Sequence, residues 1–430
     1  MKTAKRKEQI LILGAGAAGL SAADAIRTAS PDTPITVVSG EKGRPYARMA
    51  LPYYISGKIP REGIMTRGEK ELTRQGITYR AGDPAAGIDI DRRRVVLASN
   101  RKLSFDKLLI ATGSVPEYPE MLAGAQAPGV SHLWTLKDAQ QIKRLAREGS
   151  SVAVWGAGFV SFMAAKALAG HGRKVHLICR ADRILRRVLD EEAAGLVDLT
   201  LCEKDVFCLK NTNVEKVEIL KGGKKRVALN DGSELIVDLF IIALGTKPNV
   251  SFLEGTPLAG KKGIEVDEYL ETSIPGIYAA GDVAVVSDCV TGERITPALW
   301  STAVMEGRGA GLNMAGARRR CDLALLMNVV DFGGYSAISI GHPLTKDAGA
   351  EVFQFTSKRD RSYRRFVFKE NRLIGAIIVG KCFDAGFFPM LIRRRVELTR
   401  DQKDAMLRQP WDMVSLLMSL PSLMQAKDLV

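Results

Sequence analysis

Two glycine turns, each in the same local setting, constrain this chain more than any other feature. Ile10-Leu11-Ile12-Leu13 is a continuous apolar run, as expected of a strand buried on both faces, and it leads into Gly14-Ala15-Gly16-Ala17-Ala18-Gly19. An alanine-rich helical stretch to about Ala29 follows. Then come a second apolar strand, Ile35-Thr36-Val37-Val38, and Glu41, 22 residues beyond Gly19. Strand, G-x-G-x-x-G turn, helix and acid in that register are the parts of a dinucleotide fold. The glycines allow a tight turn and let backbone N–H groups at the helix N-terminus approach a pyrophosphate, while the acid accepts from ribose hydroxyls. The pattern recurs: Val152-Ala153-Val154-Trp155 precedes Gly156-Ala157-Gly158-Phe159-Val160-Ser161, a helical stretch and the strand Val175-His176-Leu177-Ile178. Two dinucleotide folds suit an enzyme that passes electrons between two dinucleotides; duplicated folds with one inactive site are the alternative.

Three further segments are apolar strands that end in small-residue turns. They are Asp106-Lys107-Leu108-Leu109-Ile110-Ala111-Thr112-Gly113, Phe240-Ile241-Ile242-Ala243-Leu244-Gly245-Thr246-Lys247-Pro248, and Ile274-Pro275-Gly276-Ile277-Tyr278-Ala279-Ala280-Gly281-Asp282. With these in place the chain resembles the two-dinucleotide flavoproteins of the pyridine nucleotide–disulfide oxidoreductase superfamily over roughly residues 8 to 316. The fold this implies is α/β. Two Rossmann-like dinucleotide-binding domains are expected, an NAD(P) domain (118–246) inserted into a discontinuous FAD domain (1–117 and 247–318), followed by an α+β C-terminal domain (319–430).

The resemblance assigns FAD to Gly14, Gly16, Gly19, Glu41, Arg48, Thr112, Gly113, Gly281 and Asp282, and NAD(P) to Gly156, Gly158, Ser161, Arg180 and Gly245. A helix starting near Pro297-Ala298-Leu299-Trp300 is expected to aim its N-terminus, worth roughly +0.5 charge, at the flavin pyrimidine edge. Trp300 then either contacts the flavin or simply packs. Phe159 stands at the position of an aromatic gate over the flavin, with core packing as its other reading. Ser161 replaces the third glycine of the second turn, and Met163 stands where many relatives have a glutamate. Cys179 and Arg180 end the second strand where NAD enzymes usually show a carboxylate. Arginines there suit a 2′-phosphate, whereas Asp182 can reach a ribose, so NAD and NADP both stay open.

The stretch Gly43 to Gly57, GRPYARMALPYYISG, carries a decisive departure. Coenzyme A-disulfide reductases and NADH oxidases of this superfamily read close to CGLPYYI here, with a redox cysteine facing the flavin. This chain has Met49-Ala50 before LPYYI. Disulfide exchange needs a thiolate that attacks one sulfur and leaves another, and a thioether cannot supply it. Met49 is expected to be flavin-facing packing, and the flavin itself must pass electrons onward. Tyr363 to Gly380 reads as a β-hairpin with its turn at Glu370-Asn371. It resembles the C-terminal domain of rubredoxin-reductase-like and nitrite-reductase-like flavoproteins, which couple nicotinamide to a one-electron metal centre.

The six cysteines are scattered, with no C-x-x-C and no metal-ligand spacing, which argues against a metal or cluster in this chain and for a reducing, cytoplasmic setting. Nothing resembles a signal peptide, and no apolar run approaches the roughly 18 residues of a membrane span. The net charge is +14, and from Arg318 onward there are 19 Lys/Arg against 12 Asp/Glu. Arg318-Arg319-Arg320, Arg364-Arg365 and Arg393-Arg394-Arg395 form either a solvated surface or a docking face for an acidic partner. The methionine-rich stretch Arg400 to Val430 reads as a helical tail that packs on its own domain or docks a partner.

The expectation is an FAD-containing NAD(P)-linked oxidoreductase exchanging electrons with an iron–sulfur (ferredoxin-like) partner, as the flavin subunit of a larger redox complex. The resemblance extends to the FAD subunit of tungsten-dependent aldehyde oxidoreductase complexes, which favours NAD slightly. A soluble NADH oxidase is the alternative enzyme. An FAD-binding protein acting through nucleic-acid or protein binding is the alternative of another class; the basic clusters lack interleaved aromatics and no nucleic-acid motif is present, which argues against nucleic acid.

Overall fold

The computed structural model describes residues 8–119, 129–321, 324–332, 334–382 and 384–408. The chain divides into two compact units, one of residues 1–146 with 241–324 and one of residues 147–240 with 325–430.

The first unit is built on a five-stranded sheet. Ile10–Leu13 lies at its middle, parallel to Ile35–Ser39 on one side and Lys107–Ile110 on the other; Ile77–Ala81 and Ile277–Ala279 complete the two edges, also parallel. All four residues of Ile10–Leu13 are buried, which is why that strand is apolar throughout rather than alternating. The Ala17–Ala29 helix presents small residues to the Trp300–Met314 helix. A Cβ on Gly307 would sit 2.1 Å from the Ala18 carbonyl oxygen, and one on Gly311 would sit 2.5 Å from that of Ala22. Backbone therefore meets backbone along this pair. The topology has a consequence for the site. Gly14, Glu41, Thr112-Gly113 and Gly281-Asp282 each follow the C-terminal end of a strand in one parallel sheet, so they gather along a single edge.

In the second unit Ser151–Trp155, Lys174–Cys179 and Val206–Lys210 pair in parallel, with the Phe159–Leu168 helix following the first of them. Its C-terminal part is a five-stranded antiparallel sheet in the order Met327–Asp331, Ser336–Gly341, Arg372–Gly380, Ser362–Lys369, Glu351–Ser357. The hairpin read from the sequence forms, with Lys369 opposite Arg372 and both turn residues left-handed, Glu370 at φ 50 and Asn371 at φ 61. Two consecutive positive φ values are the type I′ geometry that matches strand twist.

The basic residues of this part are not one surface. Arg364 is buried and makes a two-pronged pair with buried Asp384, at 2.7 and 3.0 Å, while also donating to the Met406 carbonyl. Arg365 lies 3.7 Å from Asp190 and donates to the Pro343 carbonyl. Buried Lys403 meets Glu351 and Asn371. Arg364 and Arg365 are therefore tied up by internal partners, Arg364 fully buried and Arg365 partly so, and neither is a free charge for a docking face. Arg393, Arg394 and Arg395 are exposed.

Arg400–Arg408 is helical, and the rest of the expected tail, from Gln409 onward, lies outside the described residues. Among the described residues no helix is long and apolar enough to cross a membrane.

Candidate functional site

At the first turn the three glycines do different work. Gly14 has φ +112, and a Cβ there would lie 2.0 Å from the Ala111 carbonyl oxygen; a Cβ on Gly19 would lie 1.9 Å from that of Gly14. Those two keep the strand, turn and helix in contact. Gly16 is the helix N-cap with ordinary φ of −83, and a Cβ there would meet nothing within 4 Å. No side chain caps this helix end. Open space over uncapped N–H groups, at the positive end of a helix dipole, is the cradle an anionic pyrophosphate needs.

A connected set of polar contacts borders that cradle. The Glu41 carboxylate accepts from Arg48 Nη2 at 2.6 Å and from the Tyr46 hydroxyl at 2.6 Å. Burial pushes the Tyr46 phenol well up and Glu41 adds to it, against the opposing pull of Arg48, so Tyr46 stays a donor. Arg48 also donates to the Trp134 carbonyl, and its guanidinium lies 4.9 Å from that indole's centroid. Trp134 Nε1 donates to the Ser114 carbonyl at 3.2 Å, and Ser114 Oγ donates to Asp282 at 2.8 Å. A chain of contacts thus runs from Glu41 to Asp282. Thr112 Oγ1 donates to the Asn249 carbonyl at 2.8 Å, and Gly113, at φ +70, has open space on its Cβ side.

Met49 lies in the short 3-10 turn Arg48–Ala50, ahead of Leu51–Ile55, and is 54% exposed. Trp300 is the first residue of its helix and 36% exposed. Gly245, at φ +141, accepts from the Glu117 N–H through its carbonyl.

The second turn repeats the geometry. Gly156 has φ +130, and Gly158 caps the Phe159–Leu168 helix with no side-chain bond and nothing within 4 Å of its Cβ position. Ser161 is fully buried in the place of the third glycine, and Phe159 is partly buried. Cys179 ends its strand buried, with its thiol pushed up chiefly by that burial, and Arg180 is exposed beyond it. Asp182 is taken up by Arg183 at 2.8 Å. Among the described residues no group of three His, Cys, Asp or Glu side chains could hold a metal ion.

Sequence reasoning missed Tyr46, Trp134, Ser114, Asn249 and Glu306. Trp134 and Ser114 lie outside any motif, and only the folded chain shows that with Arg48 they link Glu41 to Asp282. Glu306 could have been noticed as the sole acid in the otherwise small and apolar stretch Trp300 to Gly307.

The fold and the two glycine cradles define a two-dinucleotide flavoprotein, and the chain belongs to the pyridine nucleotide-disulphide oxidoreductase family, whose model matches residues 8–307. This makes it an FAD-dependent NAD(P)H oxidoreductase. The rubredoxin NAD+ reductase C-terminal domain matches residues 327–395. Among relatives, the chain is 30% identical over 401 residues to the NADH-dependent phenylglyoxylate dehydrogenase subunit epsilon of Aromatoleum evansii, covering 93% of this chain and 94% of that one. It is 28% identical to the NADH-rubredoxin oxidoreductase of Clostridium acetobutylicum over 375 residues, 87% of this chain and 92% of that one. The solved ferredoxin reductase of Rhodopseudomonas palustris superposes with a TM-score of 0.83 at 26% identity, covering 92% of this chain and 97% of that one.

FAD supplies, when bound, the exchange between two-electron hydride chemistry and single-electron chemistry that nicotinamide alone lacks.

Proposed function

We propose that this protein passes electrons between NAD(H) and an iron–sulfur protein or subunit, as the flavin subunit of a multi-subunit oxidoreductase acting in the cytoplasm. The observation that carries this reading is Met49, an exposed thioether where a disulfide-relay enzyme needs a thiolate. Two features support the partner: the rubredoxin-reductase type of C-terminal domain and the near full-length similarity to a subunit of an NADH-dependent dehydrogenase. NADH appears in the names of both relatives, which supports NAD over NADP. The six cysteines, scattered along the sequence with no C-x-x-C, suit a reducing compartment.

In this reading residues 1–117 with 247–318 form the FAD domain, 118–246 the NAD(P) domain and 319–430 the partner domain. FAD is held by Gly14, Gly16, Gly19, Glu41, Arg48, Thr112, Gly113, Gly281 and Asp282, with Trp300 and Met49 at the flavin. NAD(P) is held by Gly156, Gly158, Ser161, Arg180 and Gly245, with Phe159 as the gate.

The test is steady-state NADH oxidation by the FAD-loaded protein with a ferredoxin, a rubredoxin, coenzyme A disulfide or oxygen as sole acceptor. Reduction of an iron–sulfur acceptor well ahead of the other two is expected. Turnover carried mainly by oxygen would make this an oxidase, and turnover carried by the disulfide would overturn the argument from Met49.

A further inference from the structure

Tyr46 stands just ahead of the Arg48–Ala50 turn, and its hydroxyl has two partners at once. It accepts from the Leu136 N–H at 3.0 Å and donates to Glu41 Oε2 at 2.6 Å. Leu136 is the first residue of the Leu136–Leu145 helix, whose start carries a capping box between Thr135 and Asp138. The box serves the Thr135 and Asp138 N–H groups, and Tyr46 takes the Leu136 N–H, one of the orphan donors of a helix end. An N–H can only donate and a carboxylate can only accept, so the direction of both bonds is fixed. The Tyr46 proton therefore points at Glu41, with the positive end of a helix dipole behind it.

Glu41 is fixed at other points as well. Its N–H donates to Ser39 Oγ at 3.2 Å, its carbonyl accepts from the Gly82 N–H at 3.0 Å, and its Oε1 accepts from Arg48 Nη2 at 2.6 Å. Arg48 is held in turn by the Trp134 carbonyl and indole. The strand leading to Glu41 is tied to the glycine turn, because the Gly14 N–H donates to the Val38 carbonyl at 2.8 Å. Each carboxylate oxygen thus has one donor and lone-pair capacity to spare, and the side chain keeps 37% of its surface open to a ligand.

We propose that Tyr46 is a positioning residue of the FAD site: backed by the Leu136 N–H, its hydroxyl holds one Glu41 oxygen apart from Arg48, so that both oxygens accept from the adenosine ribose hydroxyls. Without that hydroxyl Glu41 is free to turn both oxygens onto the Arg48 guanidinium. The ribose would then have to break a two-pronged ion pair before it could bind, and affinity is lost as preorganisation.

The role rests on assigning FAD to the first turn, and the experiment separates the two. Protein stripped of FAD is titrated with FAD and with an FAD analogue built on 2′,3′-dideoxyadenosine, which keeps the flavin and pyrophosphate. Tyr46→Phe keeps the ring and removes the hydroxyl. It is expected to bind FAD about tenfold more weakly than the wild type and the analogue within about twofold of it. A variant that weakens both alike is merely loosened, and one that weakens neither needs no hydroxyl; either result overturns the role of Tyr46. Wild type that binds FAD no better than the analogue overturns it too, since Glu41 then takes no ribose hydroxyl. Wild type that binds neither overturns the FAD assignment instead. If Tyr46→Phe does not fold, 3-fluorotyrosine at position 46, which keeps the hydroxyl, decides by fluorine NMR. Its signal is expected to respond differently to FAD and to the analogue; the same response to both overturns the proposal.

Discussion

The glycines of the first turn allow folding and cofactor binding to be separated by single substitutions. Gly16→Val places its side chain where a Cβ meets nothing within 4 Å, on a residue with φ of −83 that any amino acid adopts. The protein without FAD should therefore lose no more than about 1 kcal/mol, the usual cost of an N-cap change. What the valine fills is the space over the helix N-terminus, and FAD should be excluded from it. A ligand at 100 to 1,000 times its Kd stabilises by about 3 to about 4 kcal/mol, so the FAD-dependent rise in Tm should vanish. Gly19→Ala is the control with the opposite signature. Its methyl would lie 1.9 Å from the Gly14 carbonyl oxygen, a contact only backbone movement can relieve. Overpacking of that kind costs about 1–3 kcal/mol or more, and it should appear with and without FAD. The assay is thermal unfolding by circular dichroism at saturating and zero FAD, with bound flavin measured after denaturation. Gly16→Val that keeps stoichiometric FAD, or that unfolds as readily as Gly19→Ala, would refute the division of labour among these glycines.

Asp384→Ala leaves the Arg364 guanidinium buried without its carboxylate and should cost about 3–5 kcal/mol, read from the denaturant midpoint; a loss below about 1 kcal/mol would mean Arg364 relaxes to water. Replacing Arg393, Arg394 and Arg395 together by glutamate should slow reduction of an acidic iron–sulfur acceptor by about tenfold or more at low salt. Hydride transfer from NADH, followed by stopped-flow flavin bleaching, should be unchanged, and indifference of acceptor reduction to both salt and charge would place docking elsewhere. Met49→Cys should gain no disulfide reductase turnover, because a resolving partner is still missing; substantial turnover with coenzyme A disulfide would show that only the thiol was lacking. Buried Glu306 also sets a pH dependence for the FAD-free protein. Its carboxyl binds protons more tightly folded than unfolded, so this contribution is fully present below the ordinary value of 4.5 and is lost as pH rises to about 8. At 1.36 kcal/mol per pH unit the loss is at most about 5 kcal/mol, and Glu306→Gln should flatten that part of the Tm profile.

What was legible in the sequence, and what was not, follows from how far apart the interacting groups lie along the chain. Gly14, Gly16 and Gly19 act within one turn, so their spacing alone betrays a backbone that must bend, touch a helix and stay open to a ligand. The Glu370-Asn371 turn is legible for the same reason, since flanking β-branched and aromatic residues fix the register and the two central residues accept positive φ. The apolar strands announce that they are buried on both faces, and parallel order then places their C-terminal ends together without further information. Side-chain chemistry between distant segments carries no such signature. Arg48 reaches Trp134 across 86 positions, and Ser114 reaches Asp282 across 168. Arg364 looks in sequence like half of a basic pair on a charged surface. Only the sheet's covered face and Asp384, 20 residues on, reveal a buried tie, and with it that counting charges along a segment overstates what a partner can meet. Glu306 shows the same limit from the other side. A glutamate on a helix reads as solvated by default, and its meaning comes from glycines at 281, 307 and 311 that draw backbone so close that water has no room. The small residues visible in the sequence therefore did more than permit turns: they made an environment in which this acid has reason to keep its proton.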